Sequence, residues 1–221
     1  MTQLEESLEQ IKSNVLDQFI LVDAQIKKAE LALINGDEDE AADILHYERR
    51  VNANELNIDR ECENTIALQS PVASDLRFIL SVLNINSDLE RIGDHAEGIG
   101  NYVLTMEEPV EPELLKISRL DEMFAITKDM LAGVMTAFQH EDGKLARKTF
   151  KKDNKLNKIN AKSSLVLTEY INSHPEHTRQ ALFMFSIIRK IERVGDLCKN
   201  VAEDIIFFME AKILKHKGKT K

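Results

Sequence analysis

Tryptophan is absent from this sequence, and cysteine, proline and glycine are scarce. The two cysteines, Cys62 and Cys198, lie far apart and form no Cys-x-x-Cys pair, so the sequence predicts neither a disulfide framework nor a structural zinc site. Four prolines and eight glycines in 221 residues leave room for long uninterrupted helices. No Gly-rich phosphate loop and no Gly-x-Ser-x-Gly motif is present, which argues against the common nucleotide-binding and hydrolase classes.

Long apolar runs and an excess of basic charge are also missing. No apolar run approaches the roughly 18 residues that a membrane span requires, and the first residues lack the basic and apolar segments of a secretory signal, so we expect a cytoplasmic protein. The formal net charge of −9 disfavours broad binding to nucleic acid. The C-terminal tail is the exception, because five lysines follow the last apolar stretch. This tail is typical of a solvated helix end, and contact with anionic lipid is the second interpretation.

Apolar residues recur at steps of three and four through most of the chain, which predicts amphipathic helices packed in bundles. The predicted helices are 4–34, one that begins after an Asp37 cap and ends near 69, one opened by Ser70 and Pro71 and ending near 106, one through 123–138, one through 156–170, and one opened by a Ser173–Glu176 cap and ending near 215. No strand-like alternation competes with these helices.

The chain contains an internal duplication. The segment Leu-Glu-Arg-Ile-Gly-Asp at 89–94 returns as Ile-Glu-Arg-Val-Gly-Asp at 191–196, displaced by 102 positions. We therefore predict an all-α protein made of two tandem three-helix bundles, six long antiparallel helices in all. The first repeat covers residues 1–106, a proline-containing linker covers 107–112, and the second repeat with the basic tail covers 113–221.

Each repeated segment places two acids four residues apart on one helix face, namely Glu90 with Asp94 and Glu192 with Asp196. Like charges so placed destabilise a helix by a few tenths of a kcal/mol, which something should offset. The oxygen-rich faces continue through Glu97 in the first repeat and through Glu203 in the second. Such faces suit magnesium, manganese or iron.

Ordinary ion pairing is the alternative interpretation of these faces. Arg91 lies three residues before Asp94, and Arg193 lies three residues before Asp196, so each acid has a cation within reach on its own helix. The glycine of each segment costs about 1 kcal/mol in a helix relative to alanine, and it permits close approach of another helix or of a cation. Spacing alone leaves both interpretations open.

A carboxylate-rich bundle can also be a ferritin-like di-iron enzyme, which uses Glu-x-x-His on two helices. None of the six histidines has a glutamate three residues before it. The sequence therefore argues against a di-iron oxidase, and a carboxylate-bridged metalloenzyme remains an alternative class.

The duplicated segments, the Pro71-x-x-x-Asp75-Leu76-Arg77 stretch and the acids of the second and fifth helices together resemble the PhoU family over nearly the whole chain. This resemblance implies a phosphate-uptake regulator built from two three-helix bundles, often as a homodimer. Its implied partners are the ATPase subunit of a phosphate transporter and a sensor histidine kinase, with repression of the phosphate-starvation response when phosphate is plentiful. An accessory protein of a secondary phosphate transporter is a further alternative.

The family's Glu/Asp-x-x-x-Asp motifs bind iron or zinc in some members. Carried over residue by residue, these motifs imply metal ligands at Glu48, Asn52, Glu90, Asp94, Asp153, Asn157, Glu192 and Asp196. Asn52 and Asn157 depart from the pattern, because asparagine offers a neutral oxygen that does not balance cation charge. We therefore expect fewer or weaker metals than an all-acid site would hold.

Overall fold

The computed structural model describes residues 2–106 and 108–211, and within these ranges it contains helices and no strands. The helices are α1 (Gln3–Asn35), α2 (Glu38–Gln69), α3 (Ala73–Thr105), α4 (Pro112–Ser118), α5 (Leu120–His140), α6 (Gly143–Ala146), α7 (Thr149–Ser173) and α8 (Thr178–Glu210), with a short 3-10 turn at Pro175–His177. The predicted all-α class is confirmed. None of the described helices has the length and apolar character that crossing a bilayer requires.

The first half of the chain is a bundle of α1, α2 and α3, each of which packs on the other two. The turn between α1 and α2 follows the sequence closely. Gly36 ends α1 in the left-handed region, with φ +65°, where a glycine has no steric cost. Asp37 then caps α2, since its side chain accepts hydrogen bonds from the backbone N–H groups of Asp39 and Glu40.

The second half is a bundle of α5, α7 and α8, with two short helices that the sequence did not predict. The stretch 107–112 was predicted to be linker throughout, but Pro112 is the first residue of α4, where its fixed φ suits a helix start. The described part of α8 ends at Glu210. The predicted extension to Lys215 and the basic tail lie outside the described residues.

The predicted opening of the third helix by Ser70 and Pro71 is wrong. Ser70 instead closes α2, because its N–H bonds back to the Ile66 carbonyl and its φ is 48°. Pro71 follows this C-terminal cap, a position that suits a residue unable to continue the helix. The helix α3 begins at Ala73, and its N-cap residue Val72 makes no side-chain capping bond.

The predicted cap at Ser173 is wrong for a similar reason. The helix α7 runs through Ser173, whose hydroxyl donates to the Glu169 carbonyl rather than to the next helix. After His174 comes the 3-10 turn at Pro175–His177, and α8 begins at Thr178.

The two halves pack mainly through their third helices, since α3 and α8 share the most extensive contact between any two helices described. An aromatic cluster extends this contact to α1 and α5. The Phe138 ring of α5 lies 5.8 Å from the Phe19 ring, 6.2 Å from Phe78 and 6.2 Å from Phe208, so four helices from both halves meet around one side chain.

We therefore predict that Phe138→Ala destabilises the whole chain by about 3–5 kcal/mol, because it leaves a cavity where both halves meet. Urea unfolding followed by circular dichroism measures this loss. Leu165→Ala is the control, since Leu165 is 63% exposed and its truncation should change the free energy of unfolding little. Equal losses in the two variants would contradict a shared core centred on Phe138.

Candidate metal centre

The site begins with a carboxylate placed among apolar residues. Glu48 lies on the stripe of α2 that also buries Ile44 and Val51, and only 4% of its surface is exposed. Gln25 of α1 is fully buried opposite it, and the Gln25 Nε2 donates to the Glu48 Oε2 at 2.8 Å. The remaining oxygens, Gln25 Oε1 and Glu48 Oε1, are buried without a hydrogen-bond partner in the described part of the chain.

Gly93 of α3 makes room for this pair of side chains. A Cβ atom at position 93 would lie 2.9 Å from Gln25 Oε1 and 2.9 Å from Glu48 Oε2, closer than such atoms pack. The expectation that this glycine permits a close approach is therefore confirmed, and the groups that approach are polar. Gln25 was not among the predicted site residues, although its place in the apolar stripe of α1, between Val22 and Ala29, is a signal the sequence carries.

Two further carboxylates, those of Glu90 and Asp94, lie close to Glu48. Glu48, Glu90 and Asp94 each offer an oxygen within 4.8 Å of the others, and their exposure increases from buried Glu48 through half-buried Glu90 to exposed Asp94. We call these three residues the acid triad. Asn52 lies exposed on α2 and favours the ionised form of Glu48. The geometry gives a cation an open entrance and a buried carboxylate at the inner end.

The acid triad carries strong mutual repulsion. Burial, reinforced by Asp94, Glu55 and Glu48, raises the pKa of Glu90 to about 7, with Arg91 opposing. Burial also raises the pKa of Glu48, and the charges of Asp94 and Glu97 add to that effect. A cation bound here would relieve this repulsion.

The pairing of Arg91 with Asp94, which the spacing left open, is not among the ion pairs of the described residues. Arg91 instead lies 3.4 Å from Asp88, on the preceding turn. In the second half, by contrast, Arg193 lies 3.5 Å from Asp196, so the ion-pair interpretation holds there.

The second half places its acids differently. Asp153 of α7 is buried, but its Oδ2 accepts from Asn157 Nδ2 at 3.2 Å and lies 3.7 Å from the Lys199 ammonium. Burial raises the pKa of Asp153, and Lys199 opposes that rise. Glu192 is half-buried near Asp196, which adds to the upward shift that burial gives its pKa. Among the described residues, the acid triad is the only group of three acids, histidines or cysteines as close as 4.8 Å.

The two acids that continue the oxygen-rich faces, Glu97 and Glu203, have different surroundings. Glu97 is half-buried beside the acid triad, close enough to raise the pKa of Glu48. Glu203 instead lines a polar cavity of about 480 Å³ between α3 and α8, with residues that include Asp88 and Asp204.

The pKa of Glu90 predicts a pH dependence of stability. Its folded pKa lies above its ordinary value of 4.5, so the folded state favours the protonated form and loses stability as pH rises from about 4.5 through about 7. In EDTA, we expect Glu90→Gln to lose less stability than wild type, or to gain more, when the pH rises from 5.5 to 8.5, because the opposite effect of His95, whose pKa burial lowers, is common to both proteins. Urea unfolding at both pH values measures this. The exposed control Glu63→Gln should keep the wild-type difference, and an equal pH response in Glu90→Gln would contradict the prediction.

Comparison with known proteins agrees with the duplicated architecture. The family model described as the PhoU domain matches twice, at residues 18–103 and 120–205. A phosphate-specific transport system accessory protein PhoU homolog of Aquifex aeolicus is 32% identical over 211 residues, covering 96% of this chain and 95% of that protein. The accessory protein PhoU of Escherichia coli K12 is 30% identical over 217 residues, covering 98% and 89%.

Solved structures agree over the same extent. The crystal structure of PhoU from Pseudomonas aeruginosa matches with a TM-score of 0.91 at 29% identity, covering 95% of this chain and all of that one. PhoU from Streptococcus pneumoniae matches with a TM-score of 0.83 at 27% identity, covering 96% and 99%. Two matches to the family model, relatives over nearly the whole length and a common fold lead to one conclusion: this chain belongs to the PhoU family.

Proposed function

We propose that this chain is a non-enzymatic regulator of phosphate uptake and phosphate-starvation signalling. It couples the ATPase subunit of a membrane phosphate transporter to a sensor histidine kinase on the cytoplasmic side and represses the response when phosphate is plentiful. The observation that carries the proposal is the similarity, over 98% of the chain, to a protein named as an accessory protein of the phosphate-specific transport system.

The chemistry of the acid triad supports binding rather than turnover. Its ligands are carboxylates alone, whereas a ferritin-like oxidase combines glutamates with Glu-x-x-His pairs. The six long helices also present extended surfaces of the kind that partner proteins bind. Homodimer formation remains a prediction from the family resemblance.

The partner proposal predicts what the tagged chain captures from cells. In phosphate-replete cells, crosslinking and affinity purification should recover the transporter ATPase subunit and a sensor histidine kinase, and the tag alone should recover neither. Deletion of the gene should activate the starvation response in replete medium, and the wild-type gene should restore repression.

Three outcomes would contradict this part of the proposal. Recovery of neither partner, or no change in the response on deletion, would contradict the signalling role. Recovery of a secondary phosphate transporter in place of the ATPase subunit would contradict the proposed transporter class.

We further propose that the acid triad binds a cation, with Glu48, Glu90 and Asp94 as ligands. The residues fit such an ion because Glu48 Oε1 is buried without a hydrogen-bond partner in the described ranges, and because the oxygen ligands suit iron and other hard or borderline cations. Zinc, which the family resemblance also implies, accepts carboxylate ligands as well. Gln25 holds Glu48 in place through its amide hydrogen bond.

This cation proposal predicts a loss of metal in Glu90→Gln/Asp94→Asn. Wild-type protein purified without chelator and reconstituted with Fe²⁺ or Zn²⁺ should retain metal in elemental analysis after desalting, and the double variant should lose most of it. The matched control is Glu9→Gln/Glu63→Gln, which removes the same charge from exposed helix positions of the first half. Metal-free wild-type protein after reconstitution, or equal loss in the control, would contradict the proposed site.

A further inference from the structure

The two halves of the chain offer an internal comparison at the level of single residues. The third helices correspond with a displacement of 102 positions, which aligns Glu90 with Glu192 and Glu97 with Lys199. Helices α2 and α7 correspond with a displacement of 105, which aligns Glu48 with Asp153. The same scaffold therefore presents two versions of one site.

The first difference is a reversal of charge at one position of the third helix. Glu97 adds negative charge beside the acid triad. At the equivalent position Lys199 places its ammonium 3.7 Å from the Oδ2 of buried Asp153, so a positive charge of the chain itself lies beside that carboxylate. Asn157 donates to the same oxygen. The second half thus places a positive charge of its own chain beside Oδ2 of its buried acid, while Oδ1 is buried without a hydrogen-bond partner in the described ranges, as Glu48 Oε1 is.

The second difference lies on the first long helix of each half. Asp37 caps α2 and Asp142 caps α6, and these two caps are 105 positions apart. The same displacement aligns Gln25 of α1 with Met130 of α5. Both side chains are fully buried. Gln25 donates to Glu48, but Met130 has no N–H or O–H group to donate to Asp153. The second half therefore lacks the amide that orients the buried acid of the first.

The third difference concerns the space beside the repeated glycines. At Gly93 the nearest atoms are the oxygens of Gln25 and Glu48, whereas at Gly195 the Leu156 methyl group fills the space that a Cβ atom would take. The arginine of the segment also differs, since Arg193 pairs with Asp196 but Arg91 points to Asp88.

We infer that the two halves have diverged in their use of the acidic site: the first half binds a cation from solution, and the second half excludes one because the Lys199 ammonium already occupies its place. The inference rests on the proposed cation binding by the acid triad. It assigns to Lys199 the role of deciding which half takes metal, and it treats Glu192 and Asp196 as groups that do not bind metal while Lys199 is present.

The test counts bound Mn²⁺ per chain in full-length protein, by equilibrium dialysis with elemental analysis. Wild-type binding should be lost in Glu90→Gln/Asp94→Asn and unchanged in Glu192→Gln/Asp196→Asn. Lys199→Glu, which places at position 199 the residue type found at 97, should bind about one additional ion, because it replaces the ammonium beside Asp153 with a carboxylate. Lys199→Gln should bind it more weakly. The control Lys162→Gln removes an exposed lysine of α7 and should match wild type.

A stability measurement provides a second readout. Without metal, Lys199→Gln should unfold at a lower temperature than wild type, because buried Asp153 loses its cation, and added Mn²⁺ should recover part of that loss. Lys162→Gln should show neither effect. These shifts are measured by differential scanning fluorimetry in EDTA and in Mn²⁺.

The outcomes separate this inference from the cation proposal on which it rests. If Glu192→Gln/Asp196→Asn loses part of the wild-type Mn²⁺, both halves bind metal and the inference is wrong while the first-half site stands. If neither Lys199 variant gains Mn²⁺, Lys199 does not exclude metal and the inference is also wrong. If wild type binds no Mn²⁺, Fe²⁺ or Zn²⁺, the cation proposal is wrong, and this inference, which rests on it, is wrong as well.

Discussion

The packing of α3 against α8 is the constraint on which the rest of this structure depends. Each third helix must bury one face in its own bundle and another against its counterpart, so little of its circumference stays free. The acids of the repeated segments lie at the edge of that remaining face. Because α3 is held on both sides, its backbone keeps Glu90 and Asp94 close to Glu48.

The buried Glu48 shows what this arrangement costs. A carboxylate away from water is unfavourable unless hydrogen bonds or an opposite charge compensate for the loss of hydration. Glu48 has one strong hydrogen bond, from Gln25, and acidic neighbours that raise its pKa further. Asp153 has the Lys199 ammonium beside it, which favours its ionised form. The first half therefore carries an electrostatic strain that a bound cation would relieve, and in the second half Lys199 already offsets part of it.

Much of the fold could be predicted from the sequence, because helix periodicity reports the face that must be buried. The six long helices and the duplication follow from that pattern. The caps at Ser70 and Ser173 were wrong because serine and proline occur at both the end of one helix and the start of the next, and only the backbone hydrogen bonds decide between the two. Side-chain pairing has the same ambiguity, since Arg91 is three residues from both Asp88 and Asp94.

The site was predictable in part. The acids of the repeated segments stand out in the sequence, whereas the position of Gln25 in an apolar stripe is an ambiguous signal, because a polar residue there can lie at the edge of the core as well as inside it. Here Gly93, which has no side chain, leaves room for the Gln25 amide inside the bundle. The contact of Lys199 with Asp153 joins residues far apart in sequence, and it becomes visible only when α7 and α8 are placed side by side.

Duplication explains why such different sites can coexist on one scaffold. A buried acid in each half is stable either protonated, as its raised pKa favours, or ionised beside a positive charge, and that charge can come from solution or from the chain. The Lys199 ammonium lies beside Asp153 with or without metal, whereas under the proposed cation binding the first half would gain stability when an ion binds. Since α3 and α8 pack on each other, a cation that changes the position or rigidity of α3 acts directly on the contact that joins the halves. If the first half binds a cation as proposed, the charge difference between Glu97 and Lys199 would leave the first half responsive to metal and the second half independent of it.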